Sequence, residues 1–166
     1  DEQALNQEMI VPLDREEAWK WFPDPTKIQR WMAPVAEVDL KTGGSIQTNY
    51  DPCALIGAKG TITLNIVNFV PGEMLTLQSS LDTQREASWM NDAIWERKDR
   101  LYNVTTFADA GEGRTRITSW GLGYGTGEQW DTMIGFFTAG NKWTYGNMFK
   151  AIEGETVFAG CSQTAK

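Results

Sequence analysis

Apolar and polar positions alternate with a period of two along most of the chain. Near its start the period lengthens twice to between three and four, and it does so again over a long stretch near its end. Residues 4–12 read as a strand closed by Pro12. Asp14 with Glu17 three residues on is a capping-box signature, Asp serving as the acceptor, and the helix it predicts over 15–22 sets Ala18, Trp19 and Phe22 on one face. Asp24-Pro25 opens a second short helix, with Asp as N-cap and Pro in the first turn. Ile28, Trp31 and Met32 form its apolar side, and Pro34 ends it.

From 35 to 124 the signal is strand after strand. Segments 35–40 and 45–50 flank Thr42-Gly43-Gly44, a hairpin turn in which Gly supplies positive φ. In 60–70 Ile62, Leu64 and Ile66 point one way and Thr61, Thr63 and Asn65 the other; the phase slips at Val67, which predicts a bulge. Pro71-Gly72 turns the chain into 74–79, and a last hairpin joins 101–108 to 114–124. About seven strands joined mostly by short turns argue for one antiparallel meander. The segment 82–100 interrupts it. Ala87, Trp89, Met90, Ala93 and Ile94 fit helical spacing, with Asp82 or Ser88 as caps, so an inserted helix or ordered loop over one end of the sheet is expected.

Residues 127–152 predict a long helix with Ile134, Phe137, Tyr145, Met148 and Ile152 near one stripe, joined by Trp130, Met133 and Phe149. Gly135, Gly140 and Gly146 each weaken it by about 1 kcal/mol relative to Ala. Either a kink near 138–141 or a close approach of its backbone to sheet or ligand would account for them. Residues 1–154 thus read as one domain and 155–166 as a polar tail, with no internal repeat or linker.

Composition narrows the function classes. A net charge of −7 argues against a nucleic-acid partner, and no apolar run is long enough to span a bilayer. There is no His, so a Ser–His triad is excluded, and two Cys far apart in the chain do not make a zinc site. No metal or cofactor is expected. Cys53 and Cys161 are equally compatible with a disulfide and with two free thiols. The start at Asp1 fits a mature secreted form as well as a trimmed one.

Several short pieces, in order, carry a resemblance. They are Val11-Pro12 with Glu17-Ala18-Trp19, then Pro23-Asp24-Pro25 with Ile28 and Trp31, then Val38-Asp39-Leu40 with Gly43-Gly44. Gly60-Thr61-Ile62, Pro71-Gly72, Gly113 to Thr118, and Gly140-Asn141 with Trp143, Met148 and Phe149 continue it. Together they resemble the START-like (SRPBCC, birch-allergen-like) superfamily, and within it the family related to the activator of the heat-shock-protein ATPase. The resemblance implies an α+β helix-grip fold, in which a curved antiparallel sheet surrounds a long C-terminal helix, with two short helices after the first strand. It also implies a hydrophobic cavity for a small apolar molecule, such as a lipid or polyketide, but no particular reaction. Some exported bacterial relatives resemble this chain at Tyr124, Phe136-Phe137 and Gly140-Asn141, and export is the expectation drawn from that, with the cytoplasm left open.

Aromatic walls with a few polar groups are how small-ligand pockets are built. The chain has eight Trp, seven Phe and four Tyr. Trp31, Trp130, Met133 and Phe137, with Trp89, Trp95 and Trp120, are the candidate walls, and Asn49 or Tyr102 the groups that fix orientation. For Trp120 the strand parity shared with Arg116 and Thr118 points outward. An enzyme of the cyclase or dehydratase type would need a pocket carboxylate or Tyr as acid or base, and no catalytic residue is singled out. Glu128 and Asp131 fit a helix N-terminus, and Asp92 with Glu96 a solvated face. A module acting on a partner protein is the third reading.

Overall fold

The computed structural model describes residues 1–162; the last four residues of the expected tail lie outside the described residues. Strand β1 (Glu2–Val11) leads into helices α1 (Arg15–Lys20) and α2 (Pro25–Trp31). Then follow β2 (Val35–Asp39), β3 (Ser45–Asn49), β4 (Ile62–Val70) and β5 (Met74–Ser79). A short helix α3 (Asp92–Arg97) with one 3-10 turn (Lys98–Arg100) precedes β6 (Tyr102–Asp109), β7 (Thr115–Gly125) and the long α4 (Glu128–Ile152). The seven strands form one sheet in the order β1-β7-β6-β5-β4-β3-β2, every pair antiparallel. β1 and β2 are therefore the two edges, and α1 and α2 carry the chain from one to the other. This is the helix-grip arrangement.

Local chemistry sets the helix starts. Asp14 accepts from the Glu17 N–H at 2.9 Å, and Asp24 from the Thr26 N–H at 2.9 Å with Pro25 behind it. The register of β4 on β5 slips between Ile66 and Asn68, at the bulge the broken alternation predicts. In 82–100 only Asp92–Arg97 is α-helical, capped by Asn91, which accepts from the Ile94 N–H at 3.1 Å. Ahead of it the backbone makes consecutive three-residue turns, Gln84 to Leu81, Ala87 to Gln84 and Met90 to Ala87. A three-residue repeat places apolar groups much as a helix does, and Asp, Thr, Ser and Asn are residue types that favour turns and caps over helix interiors.

Alternate residues of each strand face α4. Met9, Val11, Ile46, Ile66, Leu75, Phe107 and Ile117 on the sheet pack with Trp19, Phe22, Ile28 and Trp31 from the short helices and with Met148 and Ala151 from α4. Phe22 stands edge-on to both Trp31 and Phe107, and Trp19 edge-on to Phe107. Arg30 donates to the Ala151 carbonyl at 2.6 Å, tying α2 to the C-terminal turn of α4. A second cluster of Leu81, Trp89, Ile94, Leu101, Trp130 and Met133 joins the 81–101 segment to the first turns of α4.

Beyond α4 the chain doubles back. Val157 packs on the main cluster, Phe158 meets Trp143 edge-on, and Cys161 is disulfide-bonded to Cys53 in the β3–β4 loop. Among the described residues no helix is long and apolar enough to cross a membrane.

Candidate functional site

The C-terminal half of α4 lies on a filled core, but its middle does not. Between α4 and the β1 edge of the sheet runs a cleft of about 360 Å³. Residues 4–7 of β1, Asn103 of β6, and Ser119, Gly121 and Tyr124 of β7 form its floor and one side; Ile134, Phe137, Thr138 and Asn141 of α4 form the other.

Strand parity explains which side chains reach it. On β1 Leu5 and Gln7 continue the inward series that ends in Met9 and Val11. On β7 Ser119 and Gly121 belong to the inward series of Thr115 and Ile117. Tyr124 would point outward in an unbroken strand. It turns inward because β1 and β7 slip register, Leu5 opposite Gly121 but Gln3 opposite Tyr124, so that Leu122 and Gly123 together face Ala4. Gly123 sits at φ 87°, and a Cβ there would fall on the Arg100 carbonyl. Only glycine fits that bulge.

A polar network bounds the cleft where it meets the packed core. Thr105 donates to Asn103 Oδ1 at 3.1 Å, and Asn103 Nδ2 donates to Ser119 Oγ at 2.8 Å. Ser119 in turn neighbours the Tyr145 hydroxyl, and the Tyr145 ring stacks on Trp31. Burial pushes the Tyr145 phenol above its ordinary value, and the Ser119 contact pulls it back in part. Burial likewise raises Tyr124. On the other wall Gln7 Nε2 donates to the Thr138 carbonyl at 3.3 Å, joining β1 to α4.

The residues singled out from sequence are scattered over the fold. Phe137 lines the cleft, with Trp89 edge-on to it from the 81–101 segment. Trp130 and Met133 are buried in the second cluster. Trp130 also borders a smaller hollow of about 330 Å³ with Ala93, Glu96, Arg97 and Arg100. Trp31 is 1% exposed in the main core, its Nε1 donating to the Trp21 carbonyl at 2.8 Å, so it walls nothing open. Asn49 holds the β3–β4 loop, accepting from the Asp51 N–H at 2.9 Å and donating to the Lys59 carbonyl at 3.2 Å. Trp95 lies under the cations of Arg85 and Lys98. Tyr102 and Trp120 are each 37% exposed on the outer face, one residue out of phase with Asn103 and Ser119. All three glycines of α4 stand in open surroundings: a Cβ at Gly135, Gly140 or Gly146 would meet nothing within 4 Å, so no close approach of sheet to helix accounts for them.

Leu5, Gln7, Asn103, Ser119 and Asn141 were missed. Extending the inward series of β1 backward from Val11 finds Leu5 and Gln7. Counting outward from the 109–115 turn pairs Thr105 with Ser119 and Asn103 with Gly121.

The sequence profile of the Activator of Hsp90 ATPase homolog 1-like proteins matches residues 12–153. Comparison with curated proteins gives no match. Among solved structures the fold is similar to protein MLL2253 from Mesorhizobium loti, with TM-score 0.67 and 12% identity over 91% of this chain and 97% of that one. It is similar to PFC0360w, an HSP90 activator from Plasmodium falciparum, with TM-score 0.63 and 14% identity over 91% and 96%. CalU16 from Micromonospora echinospora aligns with TM-score 0.62 and 17% identity over 92% and 76%. Likeness at such identities speaks for the fold alone, whereas the profile spans most of the sequence. On that match, the chain belongs to the family of Activator of Hsp90 ATPase homolog 1-like proteins.

Proposed function

We propose that this protein binds a small, largely apolar molecule in the cleft between α4 and the β1 edge. The observation that carries the reading is the cleft itself. At about 360 Å³ it lies at the lower end of the roughly 300–1,000 Å³ typical of small-molecule sites. Leu5, Ile134, Phe137 and the Tyr124 ring supply apolar contact, and amide and hydroxyl groups between them supply orientation.

Binding is favoured over acid–base catalysis by the lining. Among the described residues Tyr124 is the one ionisable side chain along the cleft, and no carboxylate reaches it. Glu128, Asp131, Asp92 and Glu96 are all exposed to solvent. A protein-interaction role is the second reading, supported by Phe136 and Trp143, which stand 55% and 54% exposed on α4. The Cys53–Cys161 bond supports export, since disulfides persist in oxidising compartments.

Native mass spectrometry of gently purified protein tests the first reading. A retained small-molecule mass is expected on the wild type and not on Ile134→Trp, whose indole would fill the cleft. An identical spectrum for both, bare of any adduct, together with no response to a panel of apolar ligands, would count against it.

A further inference from the structure

Resting on that reading of the cleft, we infer that its occupant is an uncharged molecule bearing a carbonyl or hydroxyl group, and not a fatty-acid-type carboxylate. Three observations carry this. First, no cationic side chain lines the cleft among the described residues. A carboxylate drawn out of water without a partner loses its hydration uncompensated, which a small apolar body cannot offset.

Second, the cations near that edge are committed elsewhere. Arg97 pairs with Glu2 at 3.1 Å and Arg116 with Glu8 at 3.4 Å. Each such pair is neutral as a unit, so neither leaves a spare cation for an anion in the cleft. Lys142 neighbours Asn141 on α4 but points roughly 100° away around the helix axis; it is exposed.

Third, the polar groups with capacity to spare are neutral. Asn103, Ser119 and Gln7 already have partners in the protein. The Tyr124 hydroxyl and the Asn141 carboxamide make no hydrogen bond among the described residues, and they belong to opposite walls, β7 and α4. Each can donate to or accept from one polar atom of a ligand held between them. A phenol is protonated at neutral pH, and burial raises Tyr124 further, so it remains a donor.

Isothermal titration of the intact protein at pH 7.5 with 2-naphthamide and 2-naphthoate, equal in ring and differing in charge, tests the inference. The amide is expected to bind at least tenfold tighter. Asn141→Lys places a cation on the wall and should shift the preference at least tenfold toward naphthoate, while Tyr124→Phe should weaken the amide several-fold. Thermal melts of both variants report whether the fold is kept. Naphthoate binding the wild type as tightly as the amide overturns the inference and leaves the cleft a ligand site. So does an Asn141→Lys variant that is folded yet no better for naphthoate. If neither probe binds at millimolar concentration, the ligand-site reading and the inference fall together.

Discussion

The ring of Tyr124 lies across Gly121 so closely that a methyl group at 121 would stand 2.7 Å from Tyr124 Cε2. The absence of a side chain at one position thus seats the aromatic ring at the other. Gly121→Ala should push the ring into the cleft, at a cost of about 1–3 kcal/mol. Gly123→Ala should be worse, about 3 kcal/mol or more, because the new methyl meets backbone that cannot swing aside and φ is positive. Denaturant titrations of the two variants check the order; equal losses would mean the bulge is not what aims Tyr124.

Tyr145 makes stability depend on high pH. Its folded pKa is raised, chiefly by burial, so the stabilisation is fully present below the unfolded value of about 10 and is lost as pH rises through the folded value. Tyr124 is likewise raised by burial and acts in the same direction. Tyr145→Phe should lose about 1 kcal/mol at pH 7 with the Ser119 contact, and should flatten the decline above pH 10. Melting curves from pH 7 to 11 read both effects.

The bond between Cys53 and Cys161 closes a loop with a sequence separation of 108. Constraining so long a loop in the unfolded chain contributes about 2–4 kcal/mol. Reduction, or Cys53→Ser with Cys161→Ser, is expected to lower the melting temperature. Faster amide exchange should appear around Val157 and Phe158 and leave β6 and β7 unchanged. A melting curve indifferent to reductant would show that the bond contributes nothing.

Gly135 and Gly140 sit in α4 with open space where a Cβ would be. Alanine at either should stabilise the protein by about 0.5–1 kcal/mol, through helix propensity alone. Urea titration of each single variant checks this. A loss of stability instead would reveal that a neighbour crowds the helix there.

Much of the architecture is legible from local patterns. Alternation, the Asp14 and Asp24 caps and the glycine turns each act within a few residues, so reading them one at a time recovers the strands, the short helices and α4. Even the bulge at Val67 shows, because a broken alternation is itself local. The ligand cleft is another matter. Trp31 looks from its composition and place like a cavity wall, yet Phe22 and Tyr145 enclose it and the Trp21 carbonyl satisfies its indole.

What the amino-acid order determined unaided is which residues share a face, since that follows from the period of each element. Which shared faces pack shut and which leave room was decided only in three dimensions. Leu5, Asn103, Ser119, Tyr124 and Asn141 come from four elements, and they converge through strand register, the bulge at Gly123 and the seat of α4. Volume left over between packed side chains is a sum over contacts distant in the chain, and no local period encodes it.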